Sequence, residues 1–351
     1  MKRVIVKLAR HLPYPVKSIL RKTYHYVFGG GNTKAIGKNP WNADEPVSYA
    51  GMWLSADECI KNIQQKISGD PNLHWLPYVI EKYLAPAIGT VPSKKPKKEY
   101  RCLLLGSSEG HMERMLCERG FEGEIVASDI ANKALMRAKQ KIEALGYGNV
   151  TYVAADLNTD TFEGQFDFII AEGVLHHIIN IESCLKMLCS ILKPDGYFIL
   201  VEFEGPVRFQ LPEHQVRWIN AALSVLPKEL RPFPPGKQEP EKHLPATPRE
   251  NQMLYYVPPT EADVMAFDPS EAVSGPALKR LIPQMFEIIE RKGFGGTLLS
   301  YMTGHFDFKR SNADEYARSW LRILIQIENT LIQNKILDDE FVFYVLRKPI
   351  M

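Results

Sequence analysis

From Tyr100 onward the chain alternates short apolar runs with amphipathic stretches. CLLLG (102–106), EIVASD (124–129), VTYVAAD (150–156), FDFIIAEG (166–173) and YFILVEF (197–203) are rich in aliphatic and aromatic residues and are bounded by Gly, Asp or Asn. They read as strands. Between them, NKALMRAKQKIEAL (132–145) and ESCLKMLCSIL (182–192) repeat apolar residues at helical spacing, and the stretch after the first strand reads as a further helix. Strands this apolar need cover on both faces, so the alternation predicts a parallel sheet with helices on either side. Lys193-Pro194-Asp195-Gly196 reads as the turn before the fifth strand. FEIIERKGF (286–294) and FVFYVLRKP (341–349) read as two further strands, separated by a long helix near Asn312 to Lys335. The predicted fold is α/β: a doubly wound, mostly parallel seven-stranded sheet with an antiparallel C-terminal edge hairpin, an N-terminal helical cap and an insertion after strand five.

The flanks follow different patterns. Ser55 with Glu58 has the spacing of a capping box and predicts a helix to about Ile67; Asp70-Pro71 predicts the start of a second, through Trp75, Tyr78, Val79 and Leu84. VPSKKPKKEY (91–100) reads as a linker whose lysines face solvent. Residues 1–95 are therefore expected to form a basic arm and helical cap, and 96–351 the main domain, with 205–285 an insertion covering the substrate. Within that insertion, 213–226 predicts a helix, and 232–259 holds eight prolines. A loop of that length is usually a functional lid or disordered.

Charge is placed unevenly. The 351 residues carry a formal net charge of only +2, which disfavours a nucleic-acid partner. Yet residues 1–43 hold nine Lys or Arg and no acid, leaving the rest of the chain acidic. Val16, Ile19, Leu20, Tyr24 and Val27 share one helical face there, and Lys17, Arg21, Lys22 and His25 the other. Two readings stand: peripheral contact with an anionic membrane through residues 1–28, or a helix packed on the protein itself. Five scattered cysteines without a CxxC pair read as reduced core residues. With no apolar run long enough to span a bilayer, the expected location is cytoplasmic, at the inner membrane surface if the arm binds lipid.

In open α/β sheets, ligands bind beyond the carboxyl ends of the strands. After strand one stands Gly106-Ser107-Ser108-Glu109-Gly110, where small residues let a ligand approach the backbone. Strand two ends in Asp129, a carboxylate suited to ribose hydroxyls, and strand three in Asp156-Leu157, suited to the amine and edge of an adenine. A helix cap for Asp129 and a turn for Asp156 are the structural alternatives. Strand four ends in Glu172-Gly173 and runs into Val174-Leu175-His176-His177.

LLLGSSEG, the SD ending strand two, AADL, FDFIIAEGVLHHI and LKPDGYFILVEF together resemble class I S-adenosylmethionine-dependent methyltransferases over residues 100–204. Two positions depart from the pattern: Ser108 replaces the usual middle glycine, and Leu104 an acidic residue often found before the first glycine. The resemblance implies S-adenosylmethionine as donor and S-adenosylhomocysteine as product. It implies Gly106 to Gly110 at the methionine moiety, Asp129 and Ile130 at the ribose, Asp156 and Leu157 at the adenine, and Glu172 and Gly173 beside them. No metal is chemically required. His176 and His177 are candidates for a general base or a wall of the acceptor site. Glu204, Arg208, Gln210, His214, His243, Tyr255 and Tyr256 are candidates to meet the acceptor.

The flanking GDPNLHW and GPVRFQ resemble bacterial methyltransferases encoded among polysaccharide genes. That resemblance implies O-methylation of a sugar hydroxyl on a glycan or glycolipid precursor. A small lipid-like or aromatic acceptor is the alternative enzyme reading. A catalytically silent, adenosyl-ligand-binding subunit is the non-enzyme reading, kept open by Ser108. An NAD-dependent dehydrogenase lacks a recognisable hydride-transfer pair.

Overall fold

The computed structural model describes residues 51–232 and 255–349. The amphipathic helix expected at Val16 to Phe28, most of the proline-rich segment, and His243 lie outside the described residues.

Helices α1 (Asp57–Ile67) and α2 (Trp75–Tyr83) precede β1 (Arg101–Leu105), α3 (His111–Glu118), β2 (Glu124–Asp129), α4 (Asn132–Ala144), β3 (Val150–Ala154) and β4 (Phe166–Glu172). Next come α5 (Ile181–Ile191), β5 (Leu192–Phe203), α6 (Glu213–Val225), α7 (Glu261–Phe267), α8 (Gly275–Met285), β6 (Glu287–Gly295), α9 (Glu315–Gln333) and β7 (Phe341–Arg347). The sheet order is β3-β2-β1-β4-β5-β7-β6. β7 is antiparallel to both β5 and β6, and the remaining pairs are parallel. Strand order reverses between β1 and β4, which opens a crevice at their carboxyl ends.

Successive residues of β1 serve opposite faces. Leu104 joins Ile125, Ile170 and Ile199 in a core covered by α1, α2, α3, α6 and α9, whereas Leu103 and Leu105 join Ile169, Phe198 and Leu200 under α5 and α8. This two-sided burial is what the apolar strands require. The helical cap is thus part of one covering layer. Cys59, Cys102, Cys117 and Cys184 are buried free thiols in or beside that core, and Cys189 is half-buried.

Local chemistry corrects several expected boundaries. Ser55 does not cap α1: its hydroxyl donates to the Met52 carbonyl at 2.7 Å and accepts from the Gly51 amide, while Glu58 pairs with Arg322 of α9 at 3.0 Å. Asp70 closes its own turn by accepting from Asn72 N at 2.8 Å, so α2 starts later, with His74 Nδ1 accepting from Leu76 N. The 193–196 turn is absorbed into β5 as an irregularity in its pairing with β4. β6 and β7 pair as neighbours, but α9 lies in their connection, so they are not a tight hairpin. α9 is shorter than expected because Asp314 caps it, accepting from Tyr316 N at 2.9 Å. Lys95 is not simply solvated: it pairs with Asp167 and lies over the Tyr100 ring at 4.3 Å.

One polar knot docks α2 on β6. Glu290 accepts from the Tyr83 and Tyr78 hydroxyls at 2.6 and 2.9 Å and pairs with Lys82 and with Lys292. Burial opposes its charge, but Lys82, Tyr83 and Tyr78 outweigh burial and hold its pKa down to about 2. A carboxylate depressed in the folded state stabilises the fold above its unfolded pKa and loses that contribution as pH falls. Glu290→Gln is expected to destabilise the protein by about 1.5–3 kcal/mol near neutrality. In urea denaturation the gap between variant and wild type should narrow as pH falls from 4.5 toward about 2.

Candidate active site at the carboxyl edge of the sheet

The turn after β1 is held open by backbone geometry. Gly106 and Gly110 have φ of +71° and +85°, and a Cβ on Gly110 would lie 2.9 Å from the Ala138 Cβ. Ser108, at the position that departs from the usual glycine, keeps the left-handed conformation with φ of 48°. Its amide donates to Asp129 Oδ2 at 2.9 Å, and Asp129 Oδ1 accepts from Ala131 N at 2.8 Å. Asp129 therefore joins the turn to the start of α4. Burial raises its pKa, partly offset by the Ala131, Ser108 and Ile130 amides. Beside it, Ile130 is 51% exposed, an apolar surface facing outward.

Beneath the turn, buried Ser107 donates its hydroxyl to Glu113 Oε1 of α3 at 2.6 Å. Glu113 is fully buried, and that burial raises its pKa. Arg137 and Lys141 of α4 hold the Glu109 carboxylate at 2.6 and 2.7 Å. At the end of β3, Asp156 Oδ1 accepts from both the backbone and side-chain nitrogens of Asn158 at 2.9 Å, which is the turn alternative. Leu157 is buried next to it.

At the end of β4, Glu172 accepts from Trp75 Nε1 at 3.3 Å, so α2 reaches over the crevice. Glu172 is exposed at the rim, yet the protein mass around it and the nearby charge of Glu202 outweigh the Trp75 bond and raise its pKa to about 7. Gly173 has φ of +59°, and a Cβ there would meet nothing within 4 Å. Next comes a carboxylate-lined histidine pair. Glu202 of β5 is buried and accepts from Val174 N at 3.1 Å, Leu175 N at 2.6 Å and Phe203 N at 2.8 Å, and it also holds His176 Nδ1. The other ring nitrogen of His176 faces Glu271 at 3.5 Å. Burial opposes charge on His176, but Glu202 and Glu271 raise its pKa to about 10. His177 lies with its ring centroid 4.1 Å from that of His176, and its Nδ1 is 3.2 Å from Ser270 Oγ and 3.7 Å from Asp268. Burial, then the His176 charge, lowers its pKa.

The 268–274 loop brings these partners in. Val273 N and Ser274 N donate to the His176 carbonyl at 2.9 and 3.2 Å, and Ser274 Oγ to the Leu175 carbonyl at 2.8 Å. Arg208 N donates to the Ala272 carbonyl, and its guanidinium to the Pro269 carbonyl. Arg208 and Phe209 both adopt positive φ, a strained pair beside the site.

The remaining acceptor candidates are dispersed. Glu204 is buried against the Tyr344 hydroxyl at 2.7 Å and Arg291 at 3.3 Å, which hold it between strands. Gln210 ties the Arg208 and Pro259 carbonyls, and His214 is exposed on α6. Tyr255 is exposed, whereas Tyr256 is buried against Tyr301, its carbonyl accepting from Asn220 Nδ2 and its amide donating to Asn220 Oδ1. Sequence reasoning missed Trp75, Glu113, Glu202, Asp268, Ser270 and Glu271. Only Glu202 carried a signal: an acid inside an apolar strand run.

Residues 96–242 match a family model described as "Methyltransferase domain". Over that stretch the chain is similar to methyltransferase domains. The ubiquinone/menaquinone biosynthesis C-methyltransferase UbiE of Francisella tularensis subsp. novicida is 29% identical over 121 residues, covering 34% of this chain and 48% of that protein. UbiE of Idiomarina loihiensis is 29% identical over 142 residues, covering 40% and 55%. The chain thus spans about half the length of these curated relatives. A crystal structure of an S-adenosylmethionine-dependent methyltransferase from Mesorhizobium loti aligns with TM-score 0.40 and 16% identity, over 77% of this chain and 100% of that one.

Within the matched segment, the turn after β1 depends on the buried Ser107–Glu113 pair. Ser107→Ala is expected to cost about 1–3 kcal/mol in urea denaturation, because a buried carboxyl loses its partner.

Proposed function

We propose that this chain uses S-adenosylmethionine to methylate a sugar hydroxyl on a glycan or glycolipid precursor. The observation carrying the acceptor class is the polar wall at the ends of β4 and β5: Glu172, His176 and His177, with Asp268, Ser270 and Glu271 of the insertion. An acid- and imidazole-rich wall suits an acceptor that offers hydroxyls. The insertion supplies half of it, in keeping with a segment that covers the substrate.

The cofactor side fits an adenosyl ligand. Open space beside Gly173 after β4, and the outward apolar surface of Ile130 and the Asp129 carboxylate at the end of β2, lie at the carboxyl edge of one sheet. Asp129 would accept from ribose hydroxyls, and the left-handed turn of 106–110 would admit the methionine end. When bound, S-adenosylmethionine supplies a methyl group on an already activated sulfonium, leaving as S-adenosylhomocysteine. The protein's work is to align the acceptor, exclude water and take up the acceptor's proton, for which the Glu172 carboxylate at the end of β4 is the candidate.

The relatives' names describe C-methylation in quinone biosynthesis, which favours an aromatic acceptor as the second reading. Transfer of labelled methyl to lipid-linked sugars and to a quinol precursor, assayed side by side, decides between them. Labelling of the quinol alone overturns the sugar reading. Asp129→Ala is expected to weaken S-adenosylhomocysteine binding by about 1.5–3 kcal/mol, measured by calorimetry; unchanged affinity would remove Asp129 from the cofactor site.

Among the described residues no helix is long and apolar enough to cross a membrane. For residues 1–28 we propose electrostatic contact with anionic lipid, at about 1 kcal/mol per basic residue near the surface. Co-sedimentation with anionic vesicles that disappears in high salt supports it, and pelleting equal to that with neutral vesicles overturns it.

A further inference from the structure

The fold brings three metal-ligand side chains together from two distant segments. One ligand atom each from His176, His177 and Glu271 lie within 4.8 Å of one another. We propose that His176, His177 and Glu271 form a binding site for a divalent transition-metal ion, which would hold the acceptor oxygen; this rests on the methyltransferase reading above.

Three observations support it. Nδ1 of His176 is engaged by the buried Glu202, so Nε2 is the nitrogen that faces Glu271. A carboxylate fixing the far nitrogen of a metal-binding imidazole is the recurring outer partner of such ligands, setting both tautomer and ring orientation. Next, the Nε2 to Glu271 separation of 3.5 Å is beyond the 2.7–3.2 Å of an ordinary N–H···O bond. It is roughly the separation of two ligand atoms about 2.0–2.2 Å from one tetrahedral metal centre. Finally, Asp268 and Ser270 stand at 3.7 and 3.2 Å from His177 Nδ1, so oxygen donors back the second imidazole as well.

The charge balance points the same way. Glu202, Glu271 and Asp268 surround two imidazoles, and the cationic side chain on the facing segment, Arg208, is directed to the Pro269 carbonyl. Three carboxylates around two imidazoles favour a bound cation. Two imidazole nitrogens beside carboxylate oxygen suit zinc, cobalt, nickel, iron or manganese, whereas calcium and magnesium prefer oxygen ligands throughout. Such an ion would lower the pKa of a bound hydroxyl and orient it, the task that O-methylation sets.

The test uses the full chain, stripped with a chelator and titrated with cobalt(II) chloride. Visible absorption bands report coordination and calorimetry reports affinity. One equivalent is expected to bind. Glu271→Gln and His177→Ala should each weaken binding by roughly 100-fold or more, and Glu202→Gln by about 10- to 100-fold through the outer-partner effect. S-adenosylhomocysteine affinity, measured in parallel, shows that each variant is folded. Failure of the wild type to bind cobalt while it binds S-adenosylhomocysteine would overturn the metal site and leave the methyltransferase reading intact. Cobalt binding unchanged in both Glu271→Gln and His177→Ala overturns it equally. Failure to bind S-adenosylhomocysteine would strike the broader reading on its own.

Discussion

A single buried carboxylate, Glu202, governs the side of the crevice formed by the ends of β4 and β5. It sits near the end of β5, where isolated charge is strongly unfavourable, and is compensated by three backbone amides and one imidazole. Because two of those amides belong to Val174 and Leu175, the carboxylate fixes the path of the chain leaving β4. Because the imidazole is that of His176, it fixes which nitrogen faces outward. The carbonyl of His176 then receives the amides of Val273 and Ser274. Residues nearly a hundred positions downstream are thereby seated on the same turn, bringing Asp268, Ser270 and Glu271 with them.

The two halves of the crevice are mechanically joined at the neighbouring strands β1 and β4. A Cβ on Gly106 would come within 3.0 Å of Val174 Cβ, so the turn after β1 lies directly against the turn that Glu202 secures. Asp129 performs the matching task on the other flank, linking the Ser108 and Ala131 amides. The turns after β1 and β4 are thus packed into one rim. From the cap side, α2 contributes Trp75 to Glu172 while its far end is fastened to β6 through Glu290. A helix outside the matched domain therefore closes one side of the crevice.

The strand and helix periods alone determined the doubly wound sheet, since apolar strands in alternation with amphipathic helices have few other ways to bury both faces. The order of polar residues at the strand ends pointed to the carboxyl edge as the candidate site. Gly106, Gly110 and Asp129 were legible because turn conformation and strand termini are local properties, readable from spacing. Helix starts were less so: Ser55 and Asp70 had cap-like chemistry but spent it on their own turns, a competition between neighbouring amides that spacing does not rank.

Only the tertiary structure decided the fate of the other polar side chains. Glu109 and Glu204 looked available in the sequence and are held by basic or tyrosine partners brought from other elements. Asp268, Ser270 and Glu271 looked like ordinary loop residues and became the surroundings of the histidine pair. The physical reason is the same in both cases. A buried or half-buried charge is defined by what compensates it, and its partners come from segments that sequence separation hides until the sheet closes and the chain's distant parts share one rim.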